Sequence, residues 1–314
     1  MQRIFLGIGA QKAGTSWLHR CLAAHPDIWM PPVKEIHFFN ERARHGGGPL
    51  PPRLFTSRVR VELREFGAHL LRKRDIGVLP WGWRYFLARR DIDWYRRVLA
   101  HGGARLTGDI TPAYSTLSDA AVRELASDLP DVRAVLLLRN PIDRAFSHAV
   151  MDLSRLAPRD VLALPAERFY EHFRSPDSVK RTAYSAIIDR WQAVIGPDRL
   201  LVAFYEELTE SPTRLLDRVT ELIGATKVDW SAQAPVDTRV NAGQGAKIPP
   251  AYRDFLMSMY EGEIAGAVES LERATALAPE DARAWSVLAQ ALEASGRSAE
   301  AEAARSKAEA LRPK

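Results

Sequence analysis

The sequence predicts an α/β protein with a central, mostly parallel sheet flanked by helices. Three short apolar runs support this prediction, at residues 4–8, 132–138 and 200–204. Each run is almost continuous in apolar residues, as suits a central strand that is buried on both faces. Amphipathic helical segments separate the runs, and strands that alternate with helices are typical of parallel sheets.

The first run leads into the loop GAQKAGTS, which begins at Gly9. Gly9 and Gly14 let the backbone approach an anion, and the start of the next helix offers free N–H groups and a positive dipole end. Thr15 or Ser16 is expected to be the N-cap of that helix. Lys12 stands two residues before the second glycine, whereas the loop that binds Mg-triphosphate ends in Gly-Lys-Ser/Thr. The loop therefore has the parts for phosphate and lacks those for Mg-triphosphate. Taken alone, it fits a purely structural turn equally well.

The second run is followed by Arg139, and Pro141 suits the first turn of the next helix. A guanidinium at a strand end can bind phosphate in a bidentate manner, and Ser147, two helical turns further, could complete a second phosphate site. Taken alone, Arg139 is more often a salt-bridge partner. Ligands of parallel sheets bind at the carboxyl ends of strands, where Arg139 would lie.

A carboxylate and an imidazole lie among apolar residues in the segment KEIHFF, residues 34–39. Alternation along an extended backbone would set Glu35 and His37 on one face. A carboxylate in that position is a candidate general base. A buried salt-bridge partner of a nearby arginine is the simpler interpretation of Glu35 in isolation.

Together these segments resemble the sulfotransferases that use 3′-phosphoadenosine 5′-phosphosulfate (PAPS), over roughly residues 3–270. QKAGTSWL resembles their 5′-phosphosulfate loop, LLLRNPIDRAFSH their 3′-phosphate motif, and KEIHFF with GDITPAYS the branch that sulfates glycans. LLVAFYEELTESP follows the late strand and helix of the family. The resemblance implies a P-loop NTPase-like fold and in-line transfer of a sulfuryl group to a hydroxyl or amine. Adenosine 3′,5′-bisphosphate (PAP) would be the product.

The resemblance also assigns roles to single residues. Lys12 would stabilise charge on the leaving phosphate, and Glu35 would take the acceptor proton, with His37 as the alternative base. The residues assigned to the donor are Gln11, Lys12, Ala13, Gly14, Thr15, Ser16 and Trp17, with Arg139 and Ser147 at its 3′-phosphate and Tyr205 at its adenine. The late loop 239–247 is a candidate for closing over the nucleotide. No metal is expected, because positioning and charge stabilisation dominate such transfers.

Arginines recur between Arg53 and Arg105, and the net charge of the chain is +5. Residues 40–107 are expected to form a variable insertion on the acceptor side, where arginines could attract an anionic acceptor. A solvated insertion is the simpler interpretation of this charge, and Trp94 and Tyr95 are expected to pack it onto the core. The acceptor is expected to be a small molecule or a glycan, and a lipid, a phenolic metabolite and a peptide tyrosine remain alternatives. No nucleic-acid motif accompanies the charge, so no nucleic-acid partner is predicted.

The end of the chain repeats itself with a period of 34 residues, as in Gly262 with Gly296 and Leu277 with Leu311. This segment, rich in alanine, glutamate and arginine, resembles a tetratricopeptide repeat. The predicted domains are therefore a sulfotransferase domain over residues 1–261 and a helical tail over residues 262–314. Because about three repeats are needed for a free-standing array, a helical hairpin packed on the core is expected, with a protein partner as the alternative.

The composition, 46% hydrophobic and 26% charged, is typical of a soluble globular protein. No apolar stretch reaches the roughly 18 to 20 residues that span a bilayer. The apolar N-terminus is too short for a signal peptide, so a cytoplasmic location is expected. The single cysteine, Cys21, excludes an internal disulfide and is expected to be buried. Two alternative functions are a P-loop kinase that uses Mg-ATP and a non-catalytic tetratricopeptide adaptor on an inactive core.

Overall fold

The computed structural model describes residues 3–101, 103, 106–157, 159–234, 236, 247–277, 279–280, 285–286, 288–289, 291–292 and 297–311. The strands are β1 (Arg3–Gly9), β2 (Ile28–Trp29), β3 (Leu106–Ile110), β4 (Arg133–Leu138) and β5 (Leu200–Phe204). The three strands predicted from apolar runs are confirmed as β1, β4 and β5. The helices are α1 (Thr15–Leu22), α2 (Phe38–Arg44), α3 (Val59–Lys73), α4 (Leu79–Leu87), α5 (Ile92–Leu99), α6 (Asp119–Asp128), α7 (Pro141–Leu153), α8 (Ala166–Arg174), α9 (Pro176–Lys180), α10 (Tyr184–Ile195), α11 (Tyr205–Glu210), α12 (Pro212–Ile223), α13 (Trp230–Gln233), α14 (Pro250–Leu277) and α15 (Ser298–Ala310).

The five strands form one sheet in the order β2-β3-β1-β4-β5, and every pair of neighbours is parallel. The predicted α/β class is therefore confirmed. The chain first adds β3 and β2 on one side of β1 and then β4 and β5 on the other. Such a reversal marks the crevice in which ligands bind to open α/β sheets, at the carboxyl ends of the strands. That crevice lies beyond the ends of β1 and β4.

The helix after β1 begins differently from the prediction. Gly14, not Thr15 or Ser16, is the N-cap of α1, and no side chain caps this helix. Gly14 has a φ of 88°, a left-handed conformation that glycine adopts at little cost. Because this turn leads straight into the helix, Thr15 already lies in the first turn of α1.

The chain divides into two compact units. The first unit comprises residues 1–138 and 189–241 and contains the sheet. The expected packing of Trp94 and Tyr95 is confirmed, since both side chains are fully buried. Cys21 is buried as predicted.

Two arginines of the insertion are buried, although the simpler interpretation of the sequence was that the arginines of this segment are exposed to solvent. Arg53 and Arg90 are buried, and both contact the carboxylate of Glu41 at 2.5 and 2.6 Å. A buried guanidinium needs such a partner, because an unpaired charge in the interior is costly. These two arginines are therefore paired within the insertion and are not available to a ligand.

The second unit comprises residues 139–188 and 242–314. Its core is formed by α7, α8 and α14, where aromatic side chains pack against one another. The central residues of this core are Phe146, Phe169, Phe173, Tyr252 and Leu256. Nearer the C-terminus, small residues such as Ala301 and Ala304 pack against Val268, Leu288 and Leu292. Within the part of the chain that is described, no helix is both long enough and apolar enough to cross a membrane.

Candidate functional site

The loop between β1 and α1 has the backbone geometry of an anion site. A Cβ atom added to Gly14 would lie 2.5 Å from Cδ1 of Leu208 and 3.5 Å from Cδ2 of Tyr205. The positive φ of Gly14 favours glycine at this position, and the Leu208 side chain and the Tyr205 ring lie close to the loop. The first turn of α1 contains no acidic residue, so no carboxylate of the helix itself opposes its positive dipole end. These features fit a phosphate group.

The loop side chains differ in their availability to a ligand. Lys12 and Ser16 are half-buried, whereas Thr15 and Trp17 are buried. The indole N–H of Trp17 donates to the carbonyl of Val236 at 2.9 Å, which commits this ring to the interior. Trp17 therefore has only its backbone to offer to a ligand.

Lys34 joins the loop to the candidate base. Its ammonium donates to Oγ of Ser16 at 2.9 Å and to Oε1 of Glu35, also at 2.9 Å. Sequence reasoning gave no role to Lys34, although it is the first residue of KEIHFF. Nor did that reasoning foresee the partner of Glu35, since the expected partner was an arginine.

Glu35 and His37 meet, but the extended backbone predicted for them is wrong. Both residues are left-handed, with φ of 62° and 56°. Their side chains nevertheless contact each other, with Nε2 of His37 3.3 Å from Oε2 of Glu35. The N–H groups of Ile36 and His37 bond to the end of the neighbouring strand: Ile36 donates to Asp109 in β3 and His37 to Thr111, the residue after β3, each at 3.4 Å.

Asp109 organises this segment from within the core. Its carboxylate accepts hydrogen bonds from Tyr95 at 3.0 Å, Tyr114 at 2.7 Å and Thr111 at 2.7 Å. Burial raises the pKa of Asp109, and the hydroxyl donors oppose that rise. Asp109 belongs to the segment GDITPAYS, which the sequence analysis identified as a motif. That analysis assigned no role to Asp109 itself. Asp109 is a positioning residue for residues 36 and 37.

Backbone strain is concentrated at the predicted catalytic residues. Among the described non-glycine residues, four have positive φ: Lys12, Glu35, His37 and Arg74. A left-handed backbone at a non-glycine residue costs on the order of 1–3 kcal/mol and clusters at functional sites. Three of the four positions are the residues that the sequence analysis assigned to catalysis. This coincidence is independent of the motifs that suggested those residues.

The electrostatics of Glu35 favour its charged form. Burial acts to raise its pKa, but the hydrogen bond with His37 and the Lys34 ammonium outweigh burial and lower the pKa to about 2. The ordinary value is 4.5. These contacts therefore stabilise the fold above about pH 4.5, and that stabilisation is lost as the pH falls towards 2. At neutral pH Glu35 is a carboxylate that can accept a proton.

Replacing Lys34 by methionine is expected to raise the pKa of Glu35 from about 2 towards its ordinary value. The substitution removes both the ammonium charge and its hydrogen bond, which are causes of the low pKa. Carbon-detected NMR titration of glutamate-labelled protein measures the change, with Glu35→Gln used to assign the signal. The matched control is Lys73→Met, which removes an exposed lysine on α3. An unchanged Glu35 pKa in Lys34→Met would contradict this account.

A cavity of about 310 Å³ lies beside these residues. Its lining joins the loop and the KEIHFF segment to α3: Ser16, Lys34, Glu35, Arg58, Val61 and Glu65. The α3 residues belong to the Arg-rich insertion. The cavity thus brings a candidate base, a phosphate-loop serine and residues of the insertion to one space, and its lining is mostly polar.

Arg139 and Ser147 belong to the second unit. Arg139 directly follows β4, and its carbonyl accepts a hydrogen bond from the Tyr184 hydroxyl at 2.8 Å. Asn140 caps α7 through its side chain and Pro141 begins that helix, as predicted. Ser147 is half-buried on α7. Residues 239–246 of the late loop lie outside the described residues.

A separate group of side chains in the second unit could hold a metal ion. His148 and Asp152 lie one helical turn apart on α7, and His172 lies on α8. Both Nε2 atoms face one oxygen of Asp152, at 3.3 Å for His148 and 3.1 Å for His172. The group contains none of the residues that the sequence analysis assigned to donor binding or catalysis.

Comparison with known proteins adds two family matches. The profile of the family described as "Sulfotransferase family" matches residues 4–229, which is more than half of the chain. The profile described as "Tetratricopeptide repeat" matches residues 258–313. The resemblance of the tail to such a repeat is thereby confirmed.

Individual relatives are distant. The chain is 25% identical over 242 residues to the bifunctional heparan sulfate N-deacetylase/N-sulfotransferase 4 of Mus musculus. This match covers 71% of this chain and 22% of the mouse protein. The chain is also 25% identical over 147 residues to the heparan sulfate glucosamine 3-O-sulfotransferase 6 of Homo sapiens, covering 44% of this chain and 41% of that protein. The chain thus spans less than half the length of either relative.

A solved structure shares the fold. The sulfotransferase from Alicyclobacillus acidocaldarius superposes with a TM-score of 0.56 at 24% identity, covering 84% of this chain and 94% of that one. At this identity the likeness concerns the arrangement of strands and helices. It agrees with the parallel sheet described above.

Proposed function

Because the chain belongs to the sulfotransferase family, we propose that it transfers the sulfuryl group of PAPS to a hydroxyl or amine of an acceptor. One observation carries this proposal: the cavity that is lined by both the phosphate-loop residue Ser16 and the candidate base Glu35. In-line transfer requires the donor phosphate and the base to face the same space. The left-handed backbone at Lys12, Glu35 and His37 supports the same assignment.

The loop is proposed to hold the donor by its 5′-phosphate. Gly14 permits close approach of the backbone, and the first N–H groups of α1 supply donors. Lys12 supplies positive charge next to the leaving phosphate. Tyr205, whose ring lies close to Gly14, is proposed to contact the nucleotide. Bound PAPS supplies the activated sulfuryl group.

Glu35 is proposed to take the acceptor proton, with His37 as the alternative base. The low pKa of Glu35 depends partly on Lys34, and a general base is more effective when its pKa is near the working pH. Since Lys34 also contacts Ser16, a phosphate at the loop would compete with Glu35 for the ammonium. Donor binding is thereby expected to make Glu35 a stronger base.

The acceptor and partners are also proposals. The curated relatives act, by their names, on heparan sulfate and its glucosamine. A glycan or small-molecule acceptor with a free hydroxyl or amine is proposed to enter the 310 Å³ cavity. The tetratricopeptide repeat is proposed to fold as a helical hairpin of residues 262–314, with a protein partner as a further possibility. A cytoplasmic location and transfer without a metal remain predictions.

Nucleotide titration tests the donor assignment. In calorimetry we expect PAP to bind without magnesium and more tightly than Mg-ATP. Arg139→Ala is expected to weaken the affinity for PAP by roughly 10–100-fold, because a charge-assisted hydrogen bond contributes about 1.5–3 kcal/mol to binding. Arg155→Ala, an exposed arginine of the same unit, is the control. Preference for Mg-ATP would favour the alternative P-loop kinase, and no nucleotide binding would favour a non-catalytic adaptor.

A further inference from the structure

The insertion exposes an unusual set of apolar side chains. Of the twelve large apolar side chains that are exposed in the described part of the chain, nine lie within residues 54–87. Isolated exposed apolar residues are common, but a concentration of this kind marks an interaction surface.

Part of this set forms a tip at the end of α3. Leu71 and Ile76 are 81% and 78% exposed, more than most side chains in a folded domain. Between them stand three consecutive exposed cations, Arg72, Lys73 and Arg74. Asp75, which follows, is engaged locally, since its carboxylate accepts the N–H of Gly77 at 2.9 Å.

The neighbouring helix continues the apolar surface. Leu79, Trp83 and Leu87 are exposed and recur at every fourth residue of α4, which sets them on one face of the helix. Trp83 is 70% exposed. The opposite face of α4 is buried, through Trp81 and Tyr85, so α4 is fixed in this orientation.

Ile76 of the tip lies next to α4 in the fold. The short 3-10 helix Ile76–Val78 directly precedes α4 and packs against it. We call the combination of Leu71, Ile76, Leu79, Trp83 and Leu87 the docking surface. Between residues 66 and 90 the sequence contains six cations, of which Arg90 is buried, and a single acid, Asp75. The docking surface is therefore both apolar and cationic.

We propose that the docking surface binds the face of an anionic lipid bilayer, with its apolar side chains in the interfacial layer and its cations at the lipid phosphates. Exposed Trp and Leu beside Lys and Arg is the composition of segments that lie in a membrane interface. Each cation near an anionic leaflet contributes to this attraction. The mode is peripheral and requires no membrane-spanning helix.

Charge distinguishes this occupant from others. A second copy of the chain related by two-fold symmetry would bring the same cations face to face, where like charges repel. An acidic polysaccharide would satisfy the cations and leave Leu71, Ile76 and Trp83 without apolar partners. A bilayer offers both apolar and anionic partners at once.

The cavity described above is close to the docking surface along the same helix. Val61, which lines the cavity, is ten residues before Leu71, or about 15 Å along α3.

Vesicle sedimentation of the full chain tests the proposal. We expect binding to vesicles of phosphatidylcholine that contain phosphatidylglycerol, little binding to phosphatidylcholine alone, and loss of binding at high salt. The double variant Leu71→Ser, Ile76→Ser is expected to weaken binding by about tenfold or more. Replacing Arg72, Lys73 and Arg74 by glutamine is expected to weaken it on the order of 100-fold.

Leu156→Ser is the matched control, because Leu156 is 65% exposed and lies outside the docking surface. It is expected to bind vesicles as the wild type does. The proposal would be overturned if Leu156→Ser lost as much vesicle binding as the double variant, or if the double variant bound vesicles as the wild type does. Wild-type binding that is equally strong to neutral and to anionic vesicles would also overturn it. A wild-type dimer that the double variant converts to monomers, or binding to heparin without binding to vesicles, would overturn it as well. None of these outcomes depends on sulfuryl transfer, so the test is separate from that of the proposed function.

Discussion

Glu35→Gln is expected to lower kcat by roughly 10²–10⁴-fold, the usual contribution of a general base. Glutamine keeps the size of the side chain and can still accept a hydrogen bond from Lys34, but it cannot take a proton at neutral pH. Affinity for PAP is expected to stay within a few-fold of the wild type, because Glu35 faces the cavity and is not assigned to the nucleotide. Turnover with a screened panel of glycan and small-molecule acceptors measures the first quantity, and calorimetry measures the second.

The control for this variant is Glu65→Gln. Glu65 lines the same cavity on α3, and its carboxylate accepts the backbone N–H of Lys34 at 3.2 Å. Both variants remove one negative charge from the cavity, so a difference between them isolates the proton acceptor. Unchanged turnover in Glu35→Gln would move the role of base to His37, the other candidate.

Lys12→Met is expected to lower kcat by about 10²–10³-fold, as the loss of one group that stabilises developing charge typically does. The charge of Lys12 is proposed to act on the leaving phosphate, so the loss is expected in kcat more than in the affinity for PAP. Rapid measurement of a single turnover with saturating donor tests this expectation. A loss confined to PAP affinity would make Lys12 a binding residue only.

A second substitution at this position separates charge from backbone shape. Lys12 has a φ of 73°, which glycine adopts without strain. Lys12→Gly is therefore expected to melt at a higher temperature than Lys12→Met while sharing its low kcat. If Lys12→Gly retained wild-type turnover, the geometry of the loop and not the ammonium would be the important feature.

Much of the fold could be predicted because it depends on local patterns. Continuous apolar runs identify β1, β4 and β5, and a proline at the first position marks the start of α7. The two remaining strands are less visible. β2 has only two residues, and β3 includes Thr107, Gly108 and Asp109, which do not read as a buried strand.

The details of the site depend on contacts that are distant in sequence. The left-handed backbone at Glu35 and His37 is held by bonds to residues 109 and 111, more than 70 positions away. No propensity of the residues 34–39 predicts it. The contact of Lys34 with Ser16 likewise joins two segments that a motif search treats separately. The motifs thus predicted which residues matter, and the tertiary hydrogen bonds determine how they are arranged.

The left-handed residues Lys12, Glu35 and His37 have a consequence for directed evolution. Each strained position costs on the order of 1–3 kcal/mol that glycine would relieve. At Glu35 and His37 the loss of their mutual contact opposes that gain, and at all three positions the greater freedom of glycine in the unfolded chain opposes it as well. A laboratory selection that scores only survival at high temperature nevertheless acts directly on residues on which the proposed chemistry depends. Thermostable descendants of this protein are best sought with these three codons held fixed.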